Sequence, residues 1–205
     1  MRALIAMLVM LTTLLAALRP TLAAEIAPRT VRIAIANDAD TLDPAELDAQ
    51  DSISIAQQLW GTLYSISSDG KLEPYFAESY RMSEDGRAFT FKLRAGLKCE
   101  DGTPLTAKDA VFSFDHPADP AMKFTGHAAG FVLPALRYVG GHVDDELTFT
   151  LKIQTYNPIA LGLIAGMYIF CRAPYEAMSR EQAATHVSAT GPYRLLEWQI
   201  GRAHV

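Results

Sequence analysis

Alternating apolar and polar positions predict several strands in this chain. The clearest alternation covers residues 88–94, where three apolar side chains fall on one face of a half-buried strand: Phe89, Phe91 and Leu93. Residues 84–86 are an acidic turn with a glycine suited to positive φ, so this strand pairs with one around Arg81. Residues 138–143 and 147–153 flank a second acidic turn and predict another hairpin with Phe149 and Leu151 buried. Residues 31–36 and 193–198 predict two further strands.

Helical spacing appears between these strands. Residues 51–65 carry apolar side chains four positions apart, which predicts an amphipathic helix. Residues 159–170 are apolar throughout but too short to cross a bilayer, so they predict a buried helix. Three helix starts carry candidate capping boxes: Ser54 with Gln57, Thr106 with Asp109, and Ser179 with Gln182. This mixture of hairpins and single helices predicts an α+β (mixed α/β) fold.

The first 24 residues have the pattern of a cleavable export signal. Arg2 is followed by an apolar run over 3–18 and by small residues at Ala23 and Ala24. An uncleaved anchor is the alternative, but Arg19 and Pro20 interrupt the region before the cut. No cysteine follows the apolar run, which argues against a lipid anchor. We therefore expect a mature protein in the periplasm.

Composition and charge narrow the function classes. Half of the 205 residues are hydrophobic, a fifth are charged and the net charge is −5. A negative chain lacks the basic face expected of a nucleic-acid-binding protein, so no nucleic-acid partner is expected. No serine lies in a nucleophile elbow and no glycine-rich phosphate loop is present, so the chain is not expected to be an enzyme.

Two groups of residues are candidates for chemistry. Cys99 and Cys171 could form a disulfide in an oxidising compartment, although two separately buried thiols are favoured, because Cys171 ends an apolar segment. The histidines show no ligand spacing with either cysteine, so neither a metal nor another cofactor is expected. Four acids cluster around one loop: Asp43, Glu46, Asp48 and Asp51. We interpret them as a solvated loop that caps the following helix, rather than as paired catalytic carboxylates.

Residues 83–114 read SEDGRAFTFKLRAGLKCEDGTPLTAKDAVFSF, an order that resembles the signature of family 5 extracellular solute-binding proteins. These are the dipeptide-, oligopeptide- and nickel-binding receptors of ABC importers. Four further motifs match in the family's order: TLDP at 41–44, LWGTLY at 59–64, PYFAES at 74–79 and TGPYRL at 190–195. Ala189 and the pair Cys99-Glu100 depart from the family pattern. The resemblance covers about residues 31–198.

The resemblance implies the N-terminal part of a two-lobed periplasmic-binding-protein fold of the large peptide-receptor type. Residues 25–50 and the strand in 185–199 would belong to the first lobe, and residues 51–184 to its additional subdomain. The second lobe would be missing. Residues 200–205 are expected to be a non-native tail with few contacts, the alternative being a natural short C-terminus. We expect Leu195, Leu196 or Trp198 to be exposed.

The resemblance also implies a function. The expected role is to capture a peptide or similar small solute and present it, as a monomer, to an inner-membrane ABC permease. The loop after the first strand lines the cleft in the resembled receptors, so the candidate solute contacts are Asp48, Ala49 and Gln50, with Phe124 on the same wall. An exported hydrolase and a periplasmic holdase that uses an exposed 159–170 segment are the alternatives.

Overall fold

The structure, a computed structural model, describes residues 31–199 with their side chains and the backbone of Arg202–His204. The predicted signal peptide, residues 1–24, lies outside this part. The helices described are Gln50–Leu59 (α1), Ala107–Ala118 (α2), Leu133–Leu136 (α3), Ala160–Ala165 (α4), Arg172–Glu176 (α5) and Arg180–Ala183 (α6), and a π-helical turn at Ala128–Val132 leads into α3. The strands are Gly61–Thr62 (β1), Tyr64–Ile66 (β2), Leu72–Pro74 (β3), Ala77–Met82 (β4), Ala88–Leu93 (β5), Tyr138–Val143 (β6), Thr148–Ile153 (β7), Tyr168–Ile169 (β8), Glu197–Gln199 (β9) and Arg202–His204 (β10).

A four-stranded antiparallel sheet in the spatial order β4-β5-β7-β6 holds the main core. Phe91 pairs with Tyr80 on β4 and with Phe149 on β7, and the Phe91 and Phe149 ring centroids lie 5.5 Å apart. Both predicted hairpins are therefore confirmed. The predicted inward side chains are each at most 2% exposed: Phe89, Phe91, Leu93, Phe149 and Leu151. Gly86 in the first hairpin turn has φ +66°, the left-handed conformation that glycine favours.

Helix α2 packs against β6 and β7 and buries Phe114 in the same core. The predicted capping box at its start is confirmed, since the Thr106 N–H donates to Asp109 Oδ2 at 2.8 Å. Towards the other end of α2, Asp115 Oδ1 accepts hydrogen bonds from the Tyr138 hydroxyl at 2.7 Å and from the Gly141 N–H at 3.0 Å. The Asp115 hydrogen bonds thus join the C-terminal part of α2 to β6.

A second cluster of buried side chains surrounds α1. Leu59 and Trp60 at the end of α1 are buried with Phe170, which follows β8. The Thr190-Gly191 turn closes this end, because both backbone N–H groups donate to Leu59 O, at 3.0 and 2.8 Å. The 51–65 helix is confirmed in part, since α1 ends at Leu59. The Ser54–Gln57 capping box is wrong: α1 begins at Gln50, after Ala49, which makes no side-chain cap.

Two predicted strands differ from the structure. Residues 31–36 form no strand, and Val31 and Ile33 are each 78% exposed. Alternation shows which face a strand would bury, but a strand also needs a neighbour for its backbone hydrogen bonds, and no residue of the described part pairs with this segment. The 193–198 strand is shortened to β9, while Leu196 is 68% exposed, as expected. The backbone of Arg202–His204 pairs with β9, so the expectation of few contacts is wrong there.

The predicted helix over 159–170 is also shortened. Helix α4 ends where Gly166 N–H donates back to Gly162 O, and the chain then continues as β8, which pairs with β1. Most of the segment's apolar side chains are buried, as predicted, whereas Ile159 is exposed. A short apolar run fits a buried helix and a buried strand equally well, so the pattern alone could not separate them. In the described part of the chain, no helix has the length and apolar character needed to span a membrane.

Cys99 and Cys171 form a disulfide with their Cα atoms 6.0 Å apart, so the prediction of two separate thiols is wrong. Both residues are buried, as predicted. The loop after β5 carries Cys99, and Cys171 precedes α5, whose Arg172 N–H donates to Asp109 Oδ1 at 2.9 Å. The start of α2 brings the two segments together across 72 positions of sequence, a juxtaposition that residue spacing does not encode.

The disulfide is expected to stabilise the folded chain. Replacing both residues, Cys99→Ser with Cys171→Ser, should lower the free energy of unfolding by about 2–4 kcal/mol, because the cross-link restricts the unfolded chain. Urea denaturation with and without reductant measures the loss. The double variant also serves as the control, since reductant should not change the urea concentration at the midpoint of its unfolding. Two free thiols titrated in the unreduced protein would contradict the assignment.

Candidate functional site

Residues 38–49 form an acidic loop that precedes α1 and contains two of the predicted solute contacts, Asp48 and Ala49, while Gln50 begins α1. We call it the acidic loop. Four of its acids accept hydrogen bonds from four separate parts of the chain: Asp38 from Trp198, Asp40 from Ser52, Asp43 from Tyr175 and Glu46 from Arg180. The Trp198 Nε1 to Asp38 Oδ1 distance is 3.1 Å. The loop is therefore fixed at intervals of two or three residues along its length.

Asp43 is buried, which corrects the interpretation of a solvated loop. Its side chain accepts the Tyr175 hydroxyl at 2.9 and 3.1 Å and the Ala45 N–H at 2.9 Å, and the residue is 2% exposed. Burial of a carboxyl is compatible with folding when its oxygens are hydrogen-bonded, as they are here. The interpretation also placed negative charge at the start of α1, and Asp51 fits it, because this residue lies in the first helical turn. Its carboxylate accepts a hydrogen bond from the Asn37 side-chain amide at 2.8 Å.

Burial raises the pKa of the Asp43 carboxyl above its ordinary value of 3.8, and the hydrogen bonds from Ala45 and Tyr175 lower it in part. Burial also raises the pKa of the Tyr175 hydroxyl, and the Asp43 charge acts in the same direction. The hydroxyl therefore stays protonated and remains a donor. This pair is a structural link between the acidic loop and α5, and neither group has the exposure that a general acid or base needs.

Glu46 joins the acidic loop to the segment that contains Phe124. Glu46 Oε1 lies 2.9 Å from Arg180 Nη2, and Glu46 Oε2 accepts the Thr125 N–H at 3.0 Å. The Arg180 guanidinium also lies over the Phe124 ring, 4.9 Å from its centroid. Gly126 allows this close approach, because a Cβ there would lie 2.5 Å from the Glu46 Cα. Residues 122–126 are thus held against the acidic loop from two sides.

Phe124 also contacts His116, which links it to the buried pair. The His116 and Phe124 ring centroids are 5.1 Å apart, and His116 lies at the same distance from Tyr175. Burial lowers the pKa of the His116 imidazole, although the Asp43 charge opposes the shift. His116 Nε2 is buried, with no hydrogen-bond partner among the described residues. We interpret His116 as a neutral packing residue between Phe124 and Tyr175.

The predicted contact residues occupy the outward part of this arrangement. Asp48 and Gln50 are exposed, and Ala49 is half-buried. Phe124 is half-buried, on a segment whose neighbour His127 donates its N–H to Leu47 O at 2.7 Å. The structure therefore brings the two sequence-distant parts of the predicted site side by side.

Sequence reasoning missed the residues that hold this site in place. Tyr175 and Arg180 lie more than 130 positions from their acidic partners and belong to no motif. The acids themselves were recognisable as a cluster, and Gly126 was available as a candidate for close backbone approach. Pairing between acids and distant partners becomes visible only once the chain is folded.

Cys99, Cys171 and Asp109 also lie together, with sulfur and carboxylate atoms within 4.8 Å of one another. The two sulfurs are bonded to each other and therefore present no thiolate to a metal. Asp109 already accepts hydrogen bonds from Thr106 and from the Arg172 N–H. This cluster is a structural junction at the start of α2.

Asp43 should give the protein a characteristic pH dependence. Because its folded-state pKa is raised, its contribution to the free energy of unfolding is complete below the ordinary pKa of 3.8 and is lost as pH rises through the folded-state pKa. Asp43→Asn cannot ionise. As pH rises above 3.8, the free energy of unfolding of the natural protein minus that of the variant should therefore fall, as measured in urea titrations. A difference that stays flat with pH would contradict the assignment.

Tyr175→Phe tests the same link from its other side. Loss of the hydroxyl leaves the buried carboxyl short of a donor and should cost about 1–3 kcal/mol at neutral pH. It should also raise the pKa of Asp43 further, because the lost hydrogen bond favours the charged form. Tyr80→Phe is the matched control, since Tyr80 is 44% exposed and should change stability by less than about 0.5 kcal/mol. Equal losses from both variants would contradict the role of Tyr175.

Arg180→Ala should loosen the Phe124 segment without unfolding the protein. The Glu46–Arg180 pair is partly exposed, so the global loss should stay below about 1 kcal/mol. Hydrogen exchange at the Thr125 and Gly126 amides should nevertheless accelerate several-fold. The variant removes both the ion pair with Glu46 and the guanidinium that lies over the Phe124 ring. Arg172→Ala is the matched control, since Arg172 pairs with Glu176 one helical turn away and lies outside this contact. Unchanged exchange in Arg180→Ala would show that Glu46 alone holds the segment.

Comparison with known proteins identifies the family. Residues 71–205 match the profile described as bacterial extracellular solute-binding proteins, family 5 Middle. The glutathione-binding protein GsiB of Escherichia coli O6:K15:H31 is 34% identical over 178 residues, which is 84% of this chain and 33% of that protein. GsiB of Shigella dysenteriae serotype 1 matches to the same extent. The chain thus spans about a third of the length of these curated relatives.

Solved structures show the same fold. Haemophilus influenzae OppA in complex with the peptide RPPGFSPFR superposes with a TM-score of 0.71 at 25% identity, over 80% of this chain and 35% of that one. AgaA of A. tumefaciens R10 in complex with agropinic acid gives a TM-score of 0.71 at 26% identity, over 81% of this chain and 33% of that one. The predicted mixed fold of the large peptide receptors is therefore confirmed. The chain belongs to family 5 of the bacterial extracellular solute-binding proteins.

Proposed function

We propose that this chain is part of a receptor that captures a peptide or a related small solute and delivers it to an inner-membrane ABC permease. The observation that carries the proposal is family membership over most of the chain, together with an acidic loop that buried contacts fix and that carries the exposed Asp48 near its end. The receptor would work in the periplasm, after removal of a signal peptide at residues 1–24. It would act as a monomer and by binding alone, without bond chemistry or a cofactor.

In this proposal, Asp48, Ala49 and Gln50 contact the solute on one side and Phe124 lies on the same wall. The exposure of Asp48 and Gln50 supports the role, since these two side chains are available to an extended ligand. Their rigid mounting supports it too, because a preorganised loop loses less conformational entropy when ligand binds. Pairing with ligand backbone would give affinity without strict dependence on ligand sequence.

We also propose the division of the chain that the resemblance implies. Residues 25–50 and 185–199 would contribute to the first lobe, and residues 51–184 would form its additional subdomain. The Trp198–Asp38 hydrogen bond supports grouping the two outer segments, because it joins 185–199 to the acidic loop. Closure of two lobes around the solute would then be the state that the permease recognises.

The structure removes the basis of the holdase alternative. That function required residues 159–170 to be exposed, and Ile164, Met167 and Phe170 are at most 5% exposed. A hydrolase is also poorly supported, because the loop acids with the best placement for chemistry, Asp43 and Glu46, are bound to Tyr175 and Arg180. The solute-binding proposal therefore has the stronger support.

The proposed contacts can be tested in the full-length gene product. Asp48→Ala and Gln50→Ala should each weaken solute binding by about tenfold, the effect of losing one hydrogen bond to a ligand. Isothermal titration calorimetry with glutathione and with short peptides measures the affinity. Glu84→Ala is the matched control: it removes an exposed acid from a hairpin turn and should leave binding unchanged.

Two results would contradict this proposal. Binding of neither glutathione nor any peptide by the full-length protein would reject the solute class. Equal effects of Glu84→Ala and Asp48→Ala would reject the acidic loop as the contact surface, because the loss would then follow from net charge alone.

A further inference from the structure

An apolar cleft of about 230 Å³ lies between the acidic loop, α1, α2 and α4. Its floor is made of buried side chains, among them Leu47, Val132, Met167 and Phe170. Its rim is exposed and carries Gln57, His127, Gly162 and Gly166. The cleft is thus a depression with a solvent-accessible mouth and an apolar floor.

The two side-chain hydroxyls that line the cleft are already hydrogen-bonded to the protein. The Ser113 hydroxyl donates to Asp109 O at 2.8 Å and accepts the Phe170 N–H at 2.9 Å. The Tyr168 hydroxyl donates to Ile53 O at 3.3 Å. A polar ligand group on this floor would give up hydrogen bonds to water without finding free partners, which is unfavourable. The floor therefore selects for an apolar group.

The size of the cleft limits what it can hold. A cavity of about 150 Å³ lined by apolar side chains takes up benzene, whereas sites for whole drug-sized ligands measure about 300–1,000 Å³. At about 230 Å³ the cleft falls between these values. It suits one aromatic ring system or one branched aliphatic side chain rather than an entire solute.

The cleft borders both parts of the proposed contact wall. Leu47 immediately precedes Asp48, and Ile53 lies one helical turn after Gln50. On the other side, His127 follows Phe124 by three residues. A ligand lying across Asp48 to Gln50 could therefore place one side chain in the cleft while its backbone stays on the loop.

We propose that this cleft is an apolar subsite that accepts one bulky aliphatic or aromatic side chain of the solute. The inference rests on the proposed solute-binding function and narrows it. The solute would be a peptide with such a side chain, not a polar compound such as glutathione, which has no bulky aliphatic or aromatic side chain. Favourable burial of one such side chain amounts to roughly 1.5–3 kcal/mol, which corresponds to about 10- to 100-fold in affinity.

Indole tests the cleft directly in the chain itself. With methionine labelled at its methyl carbon, indole should shift the Met167 signal saturably, while Met178, outside the cleft, should stay unchanged. Gly162→Leu should weaken this binding by about tenfold by occupying the mouth. A Cβ on Gly162 meets no atom within 4 Å, so the added side chain starts in open space. Gly162→Ala is the matched control, because it changes the helix without filling the cleft and should bind indole normally.

If Gly162→Leu fails to fold, Gly166→Leu blocks the mouth of the cleft at a second position. A Cβ on Gly166 has only ordinary contacts, at 3.8 Å. The subsite is overturned if indole leaves Met167 unshifted, if the alanine and leucine variants at Gly162 weaken binding equally, or if glutathione shifts Met167 as strongly as indole does. These outcomes concern the cleft alone and leave the test of Asp48 and Gln50 untouched.

A peptide pair then tests the link to the solute in the full-length protein. Ala-Phe-Ala should bind at least about tenfold more tightly than Ala-Ala-Ala, and Gly162→Leu should remove that preference. Equal affinity for the two peptides would overturn the subsite while keeping the receptor function. If neither peptide nor glutathione binds, the proposed function fails, and the Met167 titration still decides whether the cleft takes an apolar group.

Discussion

The buried hydrogen bond between Tyr175 and Asp43 is the contact on which the site depends. It places a carboxyl inside the second core, where an unpaired charge would be costly, and thereby requires α5 and the acidic loop to meet. Glu46 then holds the Phe124 segment, and Asp38 holds Trp198. Loss of the Tyr175 hydroxyl would remove the contact at Asp43, which lies between Asp38 and Glu46 in the acidic loop. The position of Asp48 to Gln50 therefore depends on the contacts that Asp43 and Glu46 make with the rest of the chain.

The disulfide supports the same arrangement from the other side. Cys171 immediately precedes α5, the helix that presents Tyr175, and Cys99 fixes it to the loop that follows β5. Asp109 strengthens this junction by closing the start of α2 and accepting the Arg172 N–H. The four-stranded sheet and α2 form the rigid body to which both connections are made. The loop that would meet the solute is thus anchored to the main core through α5.

The site combines two surfaces of different character. Its outer edge, at Asp48 and Gln50, is polar and exposed, while the adjoining cleft is apolar with its hydroxyl groups already engaged. A peptide presents a polar backbone and variable side chains, so the two surfaces match its two chemical parts. The cleft rim lacks side chains at Gly162 and Gly166, which keeps its mouth open.

Local patterns in the sequence determined the two hairpins, because alternation at Phe89 to Leu93 and at Phe149 to Ile153 specifies which face is buried, and the glycine turn specifies the first hairpin. The pairing of β5 with β7, which joins the hairpins into one sheet, was decided by the tertiary structure. The Thr106–Asp109 and Ser179–Gln182 capping boxes were equally local, and the ordered motifs identified the family. The tertiary structure alone decided the disulfide, the burial of Asp43 and the Arg180 contact with Glu46, since each joins residues 72 to 134 positions apart. It also decided that residues 31–36 form no strand, because a strand forms only where a neighbouring backbone accepts its hydrogen bonds.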